Sequence, residues 1–124
     1  MANILIVEDE AALANAYKFI LMKSEHTVRV AVSAADATRI IAEDEPDLIL
    51  LDMLLPGTSG LDFLRSLNMR TLHPNVKVVA ISNIDTPRVV EEAKQLGVVK
   101  YVLKVAQTPE EMAKMVENIL TGQG

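Results

Sequence analysis

Short apolar runs alternate with amphipathic stretches along the whole chain. Three runs, at 4–7, 48–51 and 78–81, are apolar throughout, which is typical of parallel strands covered by helices on both faces. A shorter apolar run lies at 101–103, and a run at 27–32 alternates polar with apolar residues, as expected of an edge strand with one solvated face. These patterns predict strands that start near Asn3, Thr27, Asp47, Val76 and Lys100.

Between the runs, apolar residues recur three and four positions apart, which predicts five amphipathic helices. The fourth is expected to open at Thr86-Pro87 and to stop at Gly97. The fifth follows Thr108, with Glu111 completing a capping box. Strand and helix alternating in this way predict an open, doubly wound α/β sheet with helices on both faces.

Polar side chains stand at the carboxyl ends of four of the predicted strands. Glu8 and Asp9 follow the first run, Asp52 the third, Ser82 the fourth and Lys104 the fifth. Parallel sheets bind ligands outside the carboxyl ends of their strands. All five side chains are therefore expected to share one rim of the sheet.

The acidic members of this rim predict a metal site. Carboxylates crowded together repel one another by roughly 4 kcal/mol per pair at about 4 Å and an effective dielectric near 20. Mg²⁺ would offset this repulsion, because it binds carboxylates, water and phosphate oxygens. Asp52 could then act as a nucleophile toward a phosphodonor, with Lys104 and Ser82 contacting the transferred oxygens.

Composition narrows the class of protein. The 124 residues fit a single domain, 1–124, and the absence of cysteine excludes disulfides and thiolate chemistry. A net charge of −5 with scattered Lys and Arg argues against direct nucleic-acid binding. Neither a signal pattern nor an apolar stretch of membrane-spanning length is present, so a cytoplasmic location without membrane contact is expected.

Taken together, these residues resemble the response-regulator receiver domain of two-component signalling over essentially the whole chain. The matching positions are the acidic pair Glu8 and Asp9, Asp52 at the phosphoacceptor position, Pro56, Gly57 and Gly60 in the loop and helix start that follow, Ser82 at the hydroxyl position, Tyr101 at the aromatic switch position and Lys104 at the lysine position. Taken singly, each residue has an ordinary explanation as a cap, a turn or a surface charge. Their joint occurrence in this order carries the resemblance.

The resemblance implies a flavodoxin-like sheet of strand order 2-1-3-4-5 and a phosphorylation switch. A histidine kinase or phosphotransfer protein would phosphorylate Asp52, with Mg²⁺ held by Glu8, Asp9, Asp52 and the backbone carbonyl of Leu54. Ser82 would move toward the phosphoryl group and Tyr101 would turn inward. Such a domain is not an enzyme in the usual sense, although it assists its own phosphorylation and dephosphorylation.

The implied output surface consists of the fourth helix, fifth strand and fifth helix (α4-β5-α5). It would bind an output protein or a fused effector domain, or form a homodimer. The sequence leaves open whether the chain acts alone or belongs to a longer protein.

Two departures from the family pattern keep alternatives open. Val105 replaces the proline that usually follows the lysine through a cis bond, which leaves the backbone path at Lys104 undecided. Asn83 follows Ser82, where the family often has alanine or glycine. A pseudo-receiver that binds partners without phosphorylation is one alternative. A phosphohydrolase of the haloacid dehalogenase type is another, but Leu54 stands where that family has its second aspartate. A flavodoxin is disfavoured because the acids after the first strand would repel a phosphate.

Residues outside the rim have structural interpretations. His26 and His73 lack partners at metal-ligand spacing and are expected at the surface. Phe19 and Phe63 are expected in the core.

Overall fold

The computed structural model describes residues 1–122. Five parallel strands form the main sheet: β1 (Asn3–Val7), β2 (Thr27–Ala31), β3 (Leu48–Asp52), β4 (Lys77–Ser82) and β5 (Val98–Leu103). Their order is β2-β1-β3-β4-β5, which confirms the expected flavodoxin-like topology and the edge position of β2. The last strand begins at Val98, ahead of the expected start near Lys100.

Four helices connect the strands and a fifth follows the last strand: α1 (Ala11–Met22), α2 (Ala34–Glu43), α3 (Gly60–Leu67), α4 (Pro87–Gln95) and α5 (Pro109–Leu120). Local signals set their ends. The Thr108 hydroxyl accepts a hydrogen bond from the Glu111 N–H, while the Glu111 carboxylate accepts one from the Thr108 N–H. This capping box starts α5 as predicted, and α4 ends just before Gly97, whose φ of +110° suits a residue without a Cβ.

Three small elements were not predicted from the sequence. A two-stranded antiparallel hairpin, Leu54–Leu55 with Thr58–Ser59, turns at Gly57, where φ is +76°. A single helical turn, Met69–Leu72, follows α3, and a 3₁₀ turn, Lys104–Ala106, follows β5. All three are too short for an apolar period to mark them.

Helices pack on both faces of the sheet. α1 and α5 cover one face, where Tyr17 and Met112 are buried, and α2, α3 and α4 cover the other, where Phe63 is buried as expected. The prediction that Phe19 lies in the core is wrong, because 64% of its surface is exposed. The buried stripe of α1 runs through Ala14, Tyr17 and Leu21, which turns Phe19 toward solvent.

His26 corrects a second expectation. It is buried rather than at the surface, with 6% of its area exposed. Its Nδ1 accepts a hydrogen bond from the Ala2 N–H at 3.0 Å, and its Nε2 lies 2.8 Å from Glu117 Oε1. These two partners, from the N-terminal segment and from α5, satisfy the ring and make its burial tolerable.

Candidate functional site

The carboxyl ends of four strands meet at one edge of the sheet and bring the polar side chains together. Glu8 and Asp9 directly follow β1, Asp52 and Ser82 are the last residues of β3 and β4, and Lys104 directly follows β5. The pairing of neighbouring strands fixes this alignment. Asp52 pairs with Ile81 of β4, and Ser82 pairs with Leu103 of β5.

The acidic side chains form a tight cluster around a lysine. Carboxylate oxygens of Glu8, Asp9 and Asp52 lie within 4.8 Å of one another. Lys104 Nζ donates a hydrogen bond to Asp52 Oδ2 at 2.9 Å and lies 2.9 Å from Glu8 Oε1. No peptide bond among residues 1–122 is cis, so the chain reaches this position through a trans bond to Val105.

Burial controls the charges of this cluster. Removal from water, together with the hydrogen-bonding contact with Asp52, raises the pKa of Glu8 to about 7. Burial alone would lower the pKa of Lys104, but its contacts with Asp52 and Glu8 outweigh that effect and raise it. The lysine therefore keeps its positive charge at neutral pH, whereas Glu8, whose pKa is about 7, is partly protonated at that pH.

The donor set fits a hard divalent cation such as Mg²⁺. Glu8 Oε1 is buried without a well-aligned hydrogen-bond donor, although the Lys104 ammonium is close to it. Asp9 is exposed and can supply a ligand oxygen from the solvent side. Carboxylate oxygens with room for water are the ligands that Mg²⁺ prefers. A cation would therefore give a second partner to an oxygen whose neighbouring ammonium is shared with Asp52.

Backbone groups orient the Asp52 carboxylate. The Leu54 N–H donates a hydrogen bond to Asp52 Oδ1 at 3.0 Å, and the Met53 N–H donates to the Ile81 carbonyl at 2.9 Å. The Gly60 N–H donates in turn to the Met53 carbonyl at 2.8 Å. Leu54 therefore lies beside Asp52, while the use of its carbonyl as a metal ligand stays a prediction.

The loop after β4 links Ser82 to Tyr101. The Ile84 N–H donates a hydrogen bond to Ser82 Oγ at 3.0 Å, and the Ile84 carbonyl accepts one from the Tyr101 hydroxyl at 2.5 Å. Ser82 is buried, and the half-buried Tyr101 packs against the core on the α2, α3 and α4 face. One residue of the loop therefore holds both the hydroxyl and the tyrosine.

A cavity of about 570 Å³ opens over the cluster. Leu54, Asn83 and Ile84 are exposed and form part of its lining beside the acids and Lys104. Among residues 1–122, Tyr101 is not part of its lining, and its hydroxyl is linked to the site through the Ile84 carbonyl. The opening is large enough to admit a phosphodonor to Asp52.

Sequence reasoning missed two contributions to this site. Glu10 lines the cavity, and its N–H donates to Glu8 Oε2 at 3.2 Å. Ile84 acts through its backbone alone. A backbone hydrogen bond leaves no mark on side-chain chemistry, so only the position of Ile84, two residues after a strand-end hydroxyl, could have indicated its part.

The fold and the acid, hydroxyl and lysine cluster define the class of a signalling receiver domain. Residues 4–117 match the response regulator receiver domain family, and the chain belongs to that family. The predicted resemblance is therefore confirmed.

Several solved structures have the same fold as this chain. A CheY-like response regulator receiver domain protein from Methanospirillum hungatei JF-1 is similar with a TM-score of 0.89 at 24% identity, covering 99% of this chain and 96% of that one. A DNA-binding response regulator of the LuxR family from Staphylococcus aureus is similar with a TM-score of 0.83 at 27% identity, covering 97% and 99%. A two-component response regulator of the LuxR family from Aurantimonas sp. SI85-9A1 has a TM-score of 0.83 at 26% identity, covering 99% and 87%.

Within residues 1–122, no helix has the length and apolar character needed to cross a membrane.

Proposed function

We propose that this receiver domain is a switch that accepts a phosphoryl group on Asp52. The observation that carries the proposal is the position of Lys104, whose ammonium lies 2.9 Å from both Asp52 Oδ2 and Glu8 Oε1. A lysine so placed stabilises negative charge as it develops on the transferred oxygens. The receiver family consists of phosphoacceptor switches rather than enzymes in the usual sense.

The residues of the site divide the proposed transfer between them, and Asp52 is both nucleophile and metal ligand. An Asp52 carboxylate oxygen attacks the phosphorus, and the bond from phosphorus to the donor breaks, so the donor leaves with its electron pair. Glu8, Asp9, Asp52 and the Leu54 carbonyl would hold Mg²⁺, which supplies neutralisation of the phosphoryl oxygens when bound. Lys104 contacts those oxygens from the other side.

Ser82 is the proposed start of the switch. Its Oγ accepts from the Ile84 N–H in the unphosphorylated protein, whereas its O–H would donate to a phosphoryl oxygen on Asp52. Movement of the hydroxyl toward that oxygen would pull Oγ away from the Ile84 N–H. Loss of the Ser82 contact frees Ile84, whose carbonyl also holds Tyr101. The loop, Tyr101 and the adjoining α4-β5-α5 surface then change together. Phosphorylation shifts this equilibrium only by the contacts that differ between the two states.

The proposed partners follow from the class of protein. A histidine kinase or phosphotransfer protein supplies the phosphoryl group in the cytoplasm, and an output protein or fused effector domain reads α4-β5-α5, which also serves as a homodimer face. The Staphylococcus aureus relative is described as DNA-binding. In this chain we propose that such an activity would belong to an output partner, while residues 1–124 act as the single receiver domain.

Incubation with Mg²⁺ and acetyl phosphate, followed by intact mass measurement, tests the proposal. The expected result is the mass increment of one phosphoryl group, lost on Asp52→Asn and retained on Asp85→Asn, an exposed carboxylate in the loop after β4. Acetate is the leaving group. Lack of modification with acetyl phosphate and with a phosphorylated donor protein would favour the pseudo-receiver. Rapid turnover of phosphate esters would favour the phosphohydrolase.

A further inference from the structure

A second cavity, of about 360 Å³, lies at the opposite end of the sheet from Asp52. Lys77 and Val98, the first residues of β4 and β5, contribute to its lining, so it opens at the amino ends of these strands. Its volume falls in the range of roughly 300 to 1,000 Å³ that is usual for small-molecule sites.

Charge and apolar surface are separated within this cavity. Arg70, Lys77 and Lys94 supply three cations, whereas Pro74 and Val99 supply exposed apolar surface. Among the residues 1–122 that the structure describes, no acidic side chain lines it. This arrangement contrasts with the net charge of −5 of the whole chain and with the acids that line the cavity over Asp52.

Arg70 is held in place before any ligand arrives. Its Nε donates a hydrogen bond to the Gln95 carbonyl at 2.6 Å and its Nη2 donates to the Lys94 carbonyl at 2.9 Å. Both carbonyls belong to the end of α4, where the guanidinium offsets the negative end of the helix dipole. His73 also lines the cavity, and its Nδ1 lies 2.6 Å from Glu45 Oε2. Glu45 therefore contacts His73 but is not itself part of the cavity lining.

We propose that this cavity binds a small organic phosphate. A phosphate monoester carries a charge near −2 at neutral pH and several acceptor oxygens, which matches the three cations. The organic part packs on Pro74 and Val99. Binding relieves the mutual repulsion of Arg70, Lys77 and Lys94, and it requires neither Asp52 nor a metal.

Phenyl phosphate is a suitable probe because it combines a dianion with an apolar ring. It is titrated in EDTA into the ¹⁵N-labelled full chain while amide chemical shifts are followed. The expected result is saturable shifts within 69–77 and 94–99. Phenol, which lacks the charge, and inorganic phosphate, which lacks the ring, are each expected to bind more weakly.

Exposed lysines provide matched variants. Lys77→Gln and Lys94→Gln are each expected to weaken binding by about threefold, and the double variant by about tenfold. Lys114→Gln, an exposed lysine on α5 outside this lining, keeps the wild-type affinity. Unchanged affinity in the double variant, shifts centred on Asp52 or shifts that do not saturate would overturn the proposal. Phosphorylation of Asp52 is measured separately, so either proposal can fail alone.

Discussion

Glu8 shows how strongly a single position can depend on its surroundings. Its side chain is fully buried, and the ammonium that compensates its charge is shared with Asp52. Burial raises its pKa from 4.5 to about 7, so the folded protein binds a proton there more tightly than the unfolded chain does.

Glu8→Gln, studied in the absence of metal, tests whether the buried Glu8 carboxylate has this raised pKa. Wild-type stability should fall as pH rises from 4.5 and level off above pH 7, since the folded pKa is raised. The neutral variant lacks this loss, so it is expected to gain up to about 3 kcal/mol relative to wild type across the same interval. Urea unfolding in EDTA measures the difference. A difference that stays constant with pH would contradict the raised pKa.

Lys104→Met removes the cation that the carboxylates share. At about pH 8 the free energy of unfolding is expected to fall by about 1 to 3 kcal/mol, because Asp52 and Glu8 lose their counter-ion. Near pH 5 the loss should shrink, since Glu8 is then protonated. Urea unfolding at both pH values measures the two losses.

Lys100→Met, at an exposed position of β5, the strand that precedes Lys104, is the control for Lys104→Met. It should change stability by no more than about 0.5 kcal/mol. Equal losses for Lys104→Met at both pH values would show that the lysine acts through packing instead of charge.

At the scale of elements, local signals in the sequence were sufficient for the starts of α4 and α5. Thr108 and Glu111 determine the start of α5 by contacts within one turn, which a sequence displays directly. Strand order came from the family resemblance, since apolar runs alone do not state which strands are neighbours. The hairpin at Gly57 was missed because its strands contain two residues each.

Long-range contacts explain the remaining errors. The burial of His26 depends on Glu117, which is distant in sequence and reaches it only after α5 packs against the sheet. Spacing could not reveal that partner. The sequence was sufficient to predict which polar residues stand at the strand ends of the site. The backbone course at Lys104 and the hydrogen bonds of Ile84 depend on backbone geometry, which the sequence does not display.

The junction between β3 and α3 requires a glycine at position 60. A Cβ there would lie 2.6 Å from Met53 Sδ and 2.8 Å from Met53 Cα. Gly60→Ala is therefore expected to lower the free energy of unfolding by about 1 to 3 kcal/mol, because the backbone beside Asp52 must shift. Urea unfolding measures the loss.

A Met53→Ala background provides the control for Gly60→Ala. It removes the sulfur atom but leaves the backbone of residue 53 in the way of the new methyl group, so the cost of the alanine at position 60 should decrease without vanishing. An alanine that is tolerated equally well in both backgrounds, at no cost, would show that the junction is looser than these distances indicate.

At the scale of the whole molecule, the cavities at the two ends of the sheet differ in charge, with acids predominating beside Asp52 and cations in the other lining. The carboxyl ends of the strands hold Glu8, Asp9 and Asp52, and the amino ends lie beside Arg70, Lys77 and Lys94. A strand such as β4 spans from one cavity to the other, from Lys77 to Ser82. Cations and anions are therefore expected to stabilise the same fold from different ends, each by binding the folded chain in preference to the unfolded one.

Magnesium should reveal the acidic end separately. Millimolar Mg²⁺ is expected to raise the melting temperature at neutral pH, since it binds the assembled carboxylates and not the dispersed ones of the unfolded chain. The increase should be smaller near pH 5, where protons occupy Glu8 and compete with the cation. Thermal unfolding with Mg²⁺ against EDTA measures this increase, and Asp9→Asn should reduce it.

The Lys77→Gln and Lys94→Gln double variant should retain the full increase, because its changes lie at the other end of the sheet. A melting temperature that ignores Mg²⁺ at neutral pH would remove the metal from the proposed site and leave Lys104 as its only cation.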